Sequence, residues 1–173
     1  MGSEIQFGEI EESRPERQTP PDKSHQFAVV ECQEPQSGEL RIYVDLDVMK
    51  DMESHAESDT TVELGGVLLG RQLEDEKGQP FVVVSVSLRA QHYEATKGSF
   101  KFTHETWQQI SRQREDLPPD LQMVGWYHTH PDWGVFLSGM DLFICENFFN
   151  NALDLDRKST RLNSSHANIS YAV

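Results

Sequence analysis

The run Leu121-Gln122-Met123-Val124-Gly125-Trp126-Tyr127-His128 is mostly apolar and leads straight into Thr129, His130 and Pro131. It reads as a strand. Residues two apart on a strand point to the same side, so the imidazoles of His128 and His130 converge on one point. Asp141, beyond a loop, is placed to swing back and supply an oxygen. Two imidazoles and one carboxylate make up an open zinc site whose fourth position is left for water. A strand that ends in two converging histidines constrains every other element, which must build, complete or contradict that site.

The elements around it follow from periodicity and punctuation. Arg41–Val44 alternates as a strand, and Asp45 reads as the N-cap of a helix with Leu46, Val48, Met49, Met52 and Ala56 on one face. Val67–Leu69 is too short for a helix and reads as a buried strand, preceded by the Gly65-Gly66 pair that permits close backbone approach. Gln72–Gln79 reads as a hairpin loop, and Phe81–Val86 is the strongest strand signal in the chain. Ala90–Gly98 is expected to be a loop, Ser99–Phe102 a strand, and Thr103 the cap of a helix from His104 to about Arg114. Pro118-Pro119 closes that region, and Ser138-Gly139 opens a last helix with Leu142, Phe143, Cys145, Phe148 and Phe149. A short strand at Gln26–Glu31 and a turn at Gln33–Glu39 precede all of this. The order predicts an α+β fold, an α/β sandwich in which a mixed sheet is flanked by helices.

Composition narrows the function classes. A chain of 173 residues suits one domain with a real core, and a formal charge of -14 argues against nucleic acid and anionic membranes as partners. The two cysteines, Cys32 and Cys145, form no C-x-x-C pair and no disulfide framework, which favours a reducing, cytoplasmic setting. The start has no basic and apolar leader of the secretory kind, and no apolar run is long enough for a spanning helix. Residues 1–25 are charged, proline-bearing and poor in apolar groups, and are expected to be a disordered acidic leader; a domain is expected over 26–155.

The end of the chain is of another kind. Asp156-Arg157-Lys158-Ser159-Thr160-Arg161-Leu162-Asn163-Ser164-Ser165-His166 can be encoded by a sequencing-library adapter, and Ala167–Val173 by an index and the adapter bases after it. Residues 156–173 are therefore expected to be translated adapter, to be left out of fold reasoning.

A bare H-x-H is a weak signal, and H-E-x-x-H is absent because Gln108 stands where its second histidine belongs after His104-Glu105. The fuller pattern is H-x-H-P at 128–131, S-x-x-D at 138–141 and E-x-G-G-x-L-x-G at 63–70 upstream. This resembles the JAMM, or MPN-plus, metallopeptidase family, also called the JAB domain, over about Arg41 to Leu155. The resemblance implies His128, His130 and Asp141 as zinc ligands, and Glu63 as the general base acting on a bound water whose pKa the metal lowers to about 7. It implies Ser138 as the donor to the developing oxyanion. It also implies cleavage of peptide or isopeptide bonds after the C-terminal tail of ubiquitin-like or sulfur-carrier proteins. In the family, further strands follow the aspartate-bearing helix; residues 156–173 stand there in this chain, so a domain cut short at its C-terminus is expected.

Each residue alone has a plainer reading. Glu63 is then a surface carboxylate, Ser138 a helix N-cap and Asp141 a first-turn acid favoured by the helix dipole. Cys145 is a small buried thiol before it is a fourth ligand. Trp126, Tyr127 and Trp133 are candidates to line a substrate groove, with Trp126 as easily core, while His92 and His104 lack a partner at ligand spacing. Two other function classes remain beside the peptidase: a non-catalytic MPN scaffold that organises partners, and a metal-binding fold with a different hydrolytic substrate.

Overall fold

The computed structural model describes residues 15–23, 40–96, 99–130, 160–163 and 168–172. Their centre is a mixed sheet in the order β2 (Arg41–Val44), β4 (Pro80–Arg89), β3 (Gly65–Glu74), β7 (Gln122–His130), β9 (Asn168–Ala172), β8 (Thr160–Asn163). β2 runs parallel to β4, and a two-residue strand β1 (Glu16–Arg17) runs parallel to the far end of β3; the other pairs are antiparallel. A hairpin, β5 (Tyr93–Thr96) and β6 (Ser99–Phe102), stands apart from the sheet. Helices α1 (Leu46–Ser58) and α2 (His104–Glu115) complete the α+β arrangement that the order of elements predicts.

The two helices cover opposite faces. On one, Val48, Met52 and Ala56 of α1 recur at helical spacing and pack against Leu68, Val82, Val84, Val124 and Tyr127. On the other, Ile110 of α2 meets Val67, Leu69 and Leu121, with Phe102 and Trp107 beside them. Thr103 caps α2 as expected: it accepts from the Thr106 amide at 3.2 Å while the Thr106 hydroxyl accepts from the Thr103 amide at 3.1 Å. Asp45 does occupy the N-cap of α1, but with no side-chain capping bond; its own amide donates to the Val84 carbonyl at 3.0 Å and ties the helix start to β4.

Several details differ from the periodicity. Leu46, read as part of the apolar face, is 61% exposed because the helix begins there and the buried arc is set by Val48, Met52, His55 and Ala56. The loop read over Gln72–Gln79 is a much tighter turn. Asp75 is buried, and its carboxylate accepts from the amides of Lys77 (2.8 Å) and Gln79 (2.9 Å) and from Arg41 (2.8 Å), so β3 and β4 run on to meet it. Gly78, at φ 74°, supplies the left-handed step. The loop read over Ala90–Gly98 contains β5, which pairs with β6 while Tyr93 packs on Phe100 at 5.5 Å. Within the segment read as a disordered leader, Glu16 and Arg17 pair with Leu73 and Glu74, and Asp22 accepts from the Tyr43 hydroxyl at 2.9 Å. Within residues 156–173, expected to be translated adapter, β9 pairs along β7 from Trp126 to His130. The expected strand at Gln26–Glu31, the turn at Gln33–Glu39 and the last helix lie outside the described residues.

A buried polar contact backs β7. The His55 imidazole Nδ1 is hydrogen-bonded to the Tyr127 hydroxyl at 2.8 Å, with Asp51 and Arg89 close by. Arg89 donates to Asp51 Oδ1 at 2.6 Å, and Ser87 donates to Oδ2 at 2.6 Å. Burial, aided by the Arg89 charge and opposed by Asp51, pulls the His55 pKa from 6.5 down to about 4. The unfolded chain therefore binds the extra proton between those values, so stability is full above pH 6.5 and is lost as pH falls toward 4. Urea denaturation across this window should show the advantage of the native chain over a His55→Gln variant shrinking by on the order of 3 kcal/mol.

Candidate metal centre and family

The end of β7 brings the two expected histidines together. Trp126, His128 and His130 alternate along one face of the strand, and Tyr127 lies on the other, toward α1. The Trp126 and His128 rings are stacked, 4.7 Å apart and 12° from parallel, and His128 meets His130 edge to face at 4.5 Å. All three are at most 2% exposed. An aromatic chain from the hairpin supports them: Tyr93 on Phe100, Phe100 on Phe102 at 4.9 Å, and Phe102 on Trp126 at 6.2 Å. Stacking of this kind fixes the plane of the His128 ring as well as burying it.

A β-bulge decides which face the histidines use. Gly125 lies opposite Leu68, but Leu69 lies opposite Met123, so Val124 is the extra residue on β7. Without it, His128 and His130 would share a face with Val124 and point under α1. With it, they share the face of Met123 and Trp126, beside the hairpin.

Glu63 joins them from just ahead of β3. Register sets Gly65 opposite His128, and the Glu63 carboxylate is buried with Oε1 at 3.7 Å from His130 Nδ1. The surface reading of Glu63 is thereby corrected: a carboxylate 5% exposed beside a buried imidazole is part of the cluster. The glycine pair makes this approach possible. A Cβ on Gly66 would strike the Leu88 carbonyl and stand 2.7 Å from the Tyr127 ring, and one on Gly65 would stand 2.8 Å from Phe100.

The donor chemistry fits a borderline divalent metal such as zinc: two imidazoles side by side, with a carboxylate next to them in a dry setting. Among the described residues, no group of three or more His, Cys, Asp or Glu side chains is gathered so as to hold a metal unaided. The expected third ligand, Asp141, lies outside the described residues, as do Ser138, Cys145 and Trp133. Tyr127 does not line a groove; it is buried against His55 and α1. Trp126 is core, and its buried indole N–H has no hydrogen-bond partner among the described residues. His104 is exposed, 3.0 Å from Gln108. Thr129 is the residue that sequence reasoning passed over; a polar β-branched residue between two buried histidines was the available signal.

Comparison with known proteins bears on the family. Residues 37–151 match the family model described as JAB1/Mov34/MPN/PAD-1 ubiquitin protease. This chain belongs to that family. It is 25% identical over 108 residues to the ubiquitin carboxyl-terminal hydrolase RPN11 of Saccharomyces cerevisiae, covering 62% of this chain and 34% of that protein. It is 29% identical over 104 residues to the COP9 signalosome complex subunit 5a of Arabidopsis thaliana, covering 59% of this chain and 28% of that protein. A shorter match, 38% over 47 residues, is to the NAD(+) hydrolase TcpA of a Theionarchaea archaeon and covers 27% of this chain and 14% of that protein. The chain thus spans about a third or less of the length of these relatives. No helix among the described residues is long and apolar enough to cross a membrane.

The glycine pair gives a direct test of the packing. A Gly66→Ala variant should be destabilised by roughly 1–3 kcal/mol, because the obstacle is partly backbone and cannot rotate away. Its denaturation midpoint, compared with that of the native chain, measures the cost.

Proposed function

We propose that this chain carries a zinc-dependent hydrolytic site for peptide or isopeptide bonds after the C-terminal tail of a ubiquitin-like or sulfur-carrier protein. The observation that carries the reading is the buried Glu63 carboxylate, 3.7 Å from His130, where two imidazoles already converge. His128, His130 and Asp141 would hold the metal, with the ring of His128 fixed by its stack on Trp126. When bound, zinc supplies a water ligand acidified to about neutrality and a Lewis acid for the substrate carbonyl.

Glu63 is assigned as the general base. It takes a proton from the attacking water and passes it to the departing amine, so a carboxylate within hydrogen-bond reach is required there. Ser138 is assigned as the hydroxyl donor to the oxyanion. The walls, buried Trp126 and Phe100 with half-buried Phe102, exclude bulk water and so strengthen these polar contacts. An extended substrate tail suits binding by main-chain pairing along a strand. The family match and the similarity to RPN11, a ubiquitin carboxyl-terminal hydrolase, support a ubiquitin-like substrate class.

Elemental analysis and a cleavage assay on ubiquitin fused through its C-terminal glycine to a reporter protein test the proposal together. A Glu63→Gln variant should keep its zinc and lose roughly 10²–10⁴-fold in kcat. His128→Ala and His130→Ala should lose both zinc and cleavage. Stoichiometric zinc with no Glu63-dependent cleavage of ubiquitin-like or sulfur-carrier fusions would favour the scaffold reading instead.

A further inference from the structure

We infer that Thr129 is a positioning residue, whose hydroxyl sets where the Glu63 carboxylate stands against His130. The inference rests on the reading of Glu63 as the base. Antiparallel partners that share a hydrogen-bonded rung normally exchange two main-chain bonds, each amide donating to the other's carbonyl. The rung between Leu64 and Thr129 keeps only half of that pattern. The Thr129 amide donates to the Leu64 carbonyl at 2.8 Å, but the Leu64 amide donates to the Thr129 side-chain oxygen, Oγ1, at 2.9 Å.

This substitution of a hydroxyl for a carbonyl falls at a particular place. Leu64 is the residue after Glu63 and the last before β3 begins at Gly65. The ladder proper ends with Gly65 opposite His128, so the Leu64–Thr129 contact is what continues to hold the chain as it leaves the sheet. On its other side, the Glu63 amide donates to the Thr96 carbonyl of the hairpin at 3.0 Å. Glu63 is therefore suspended between two anchors, one on β5 and one on a side chain that stands between the two histidines in sequence. Thr129 points away from the histidine face, because alternate residues of a strand do, so it acts only through the backbone it holds.

Both partners are buried, Leu64 at 2% and Thr129 at 4% exposure, so water has no room to replace the hydroxyl. A side chain of the same shape without an acceptor would leave the Leu64 amide unsatisfied and let the Glu63 segment drift. Drift of about 1 Å at a catalytic group costs on the order of a hundredfold in rate.

The test uses the full chain, with Thr129→Val, Thr129→Ser and Glu63→Gln compared on the ubiquitin–reporter fusion. Zinc content is measured by elemental analysis, and exchange of the Leu64 amide by NMR. Thr129→Val should keep its zinc and its KM, lose roughly ten- to a hundredfold in kcat, and show faster exchange at Leu64. Thr129→Ser, which keeps the acceptor, should recover kcat and slow exchange toward the native values. Should the Val variant not fold, Thr129→Cys, close in size and a weak acceptor, asks the same question. Native kcat in Thr129→Val beside a dead Glu63→Gln would overturn the inference, as would unchanged exchange at Leu64. Native activity in Glu63→Gln would instead remove Glu63 as the base, and the Leu64 exchange rate would still report whether Thr129 holds the segment.

Discussion

The pairing of β3 with β7 is the contact on which the rest of the molecule depends. It sets Gly65 opposite His128 and, one step further, brings Glu63 from a separate part of the chain to within 3.7 Å of His130. Neither strand could be displaced by one residue without turning its side chains to the opposite faces, since the period of a strand is two. The register is fixed by what each face buries. Tyr127 and Val124 belong under α1, while Trp126 belongs against Phe102. The histidines inherit their position from these apolar neighbours.

β7 carries two chemistries back to back. On the α1 side, Tyr127 and His55 form a hydrogen-bonded pair in which burial keeps the imidazole neutral. On the hairpin side, His128 and His130 sit among aromatic rings with a carboxylate beside them. The bulge at Val124 decides which chemistry faces which side. Trp126 and Tyr127, as consecutive strand residues, reach opposite cores by alternation, and the bulge fixes which core each one meets.

Much of this was legible in the residues. The helix positions of α1 and α2, the Thr103 cap and the convergence of His128 with His130 follow from spacing, because helical and strand periods are properties of the local chain. What escaped was set by non-local packing. The bulge leaves no trace in an apolar run where both faces are buried. The polar stretch before Phe81 looked like an open loop, yet Asp75 gathers its amides into a tight turn whose anchor, Arg41, is distant in sequence. The stretch before Ser99 pairs because Tyr93 finds Phe100, a contact that charge and glycine content conceal. Glu63 was singled out by its motif alone; its burial comes from strands that no local pattern brings together. Ser138 and Asp141 lie outside the described residues, so for them only the motif speaks.

The stack of Trp126 on His128 has an optical consequence. An indole 4.7 Å from an imidazole and 12° from parallel shares its excited state with whatever charge that imidazole carries. A cation held at His128 would change the surroundings of the excited indole. Of the three tryptophans in the chain, Trp126 is buried against a histidine of the cluster, while Trp107 sits half-buried on α2 beside Phe102. The protein thus carries its own fluorescent gauge of the state of its centre, readable without any label.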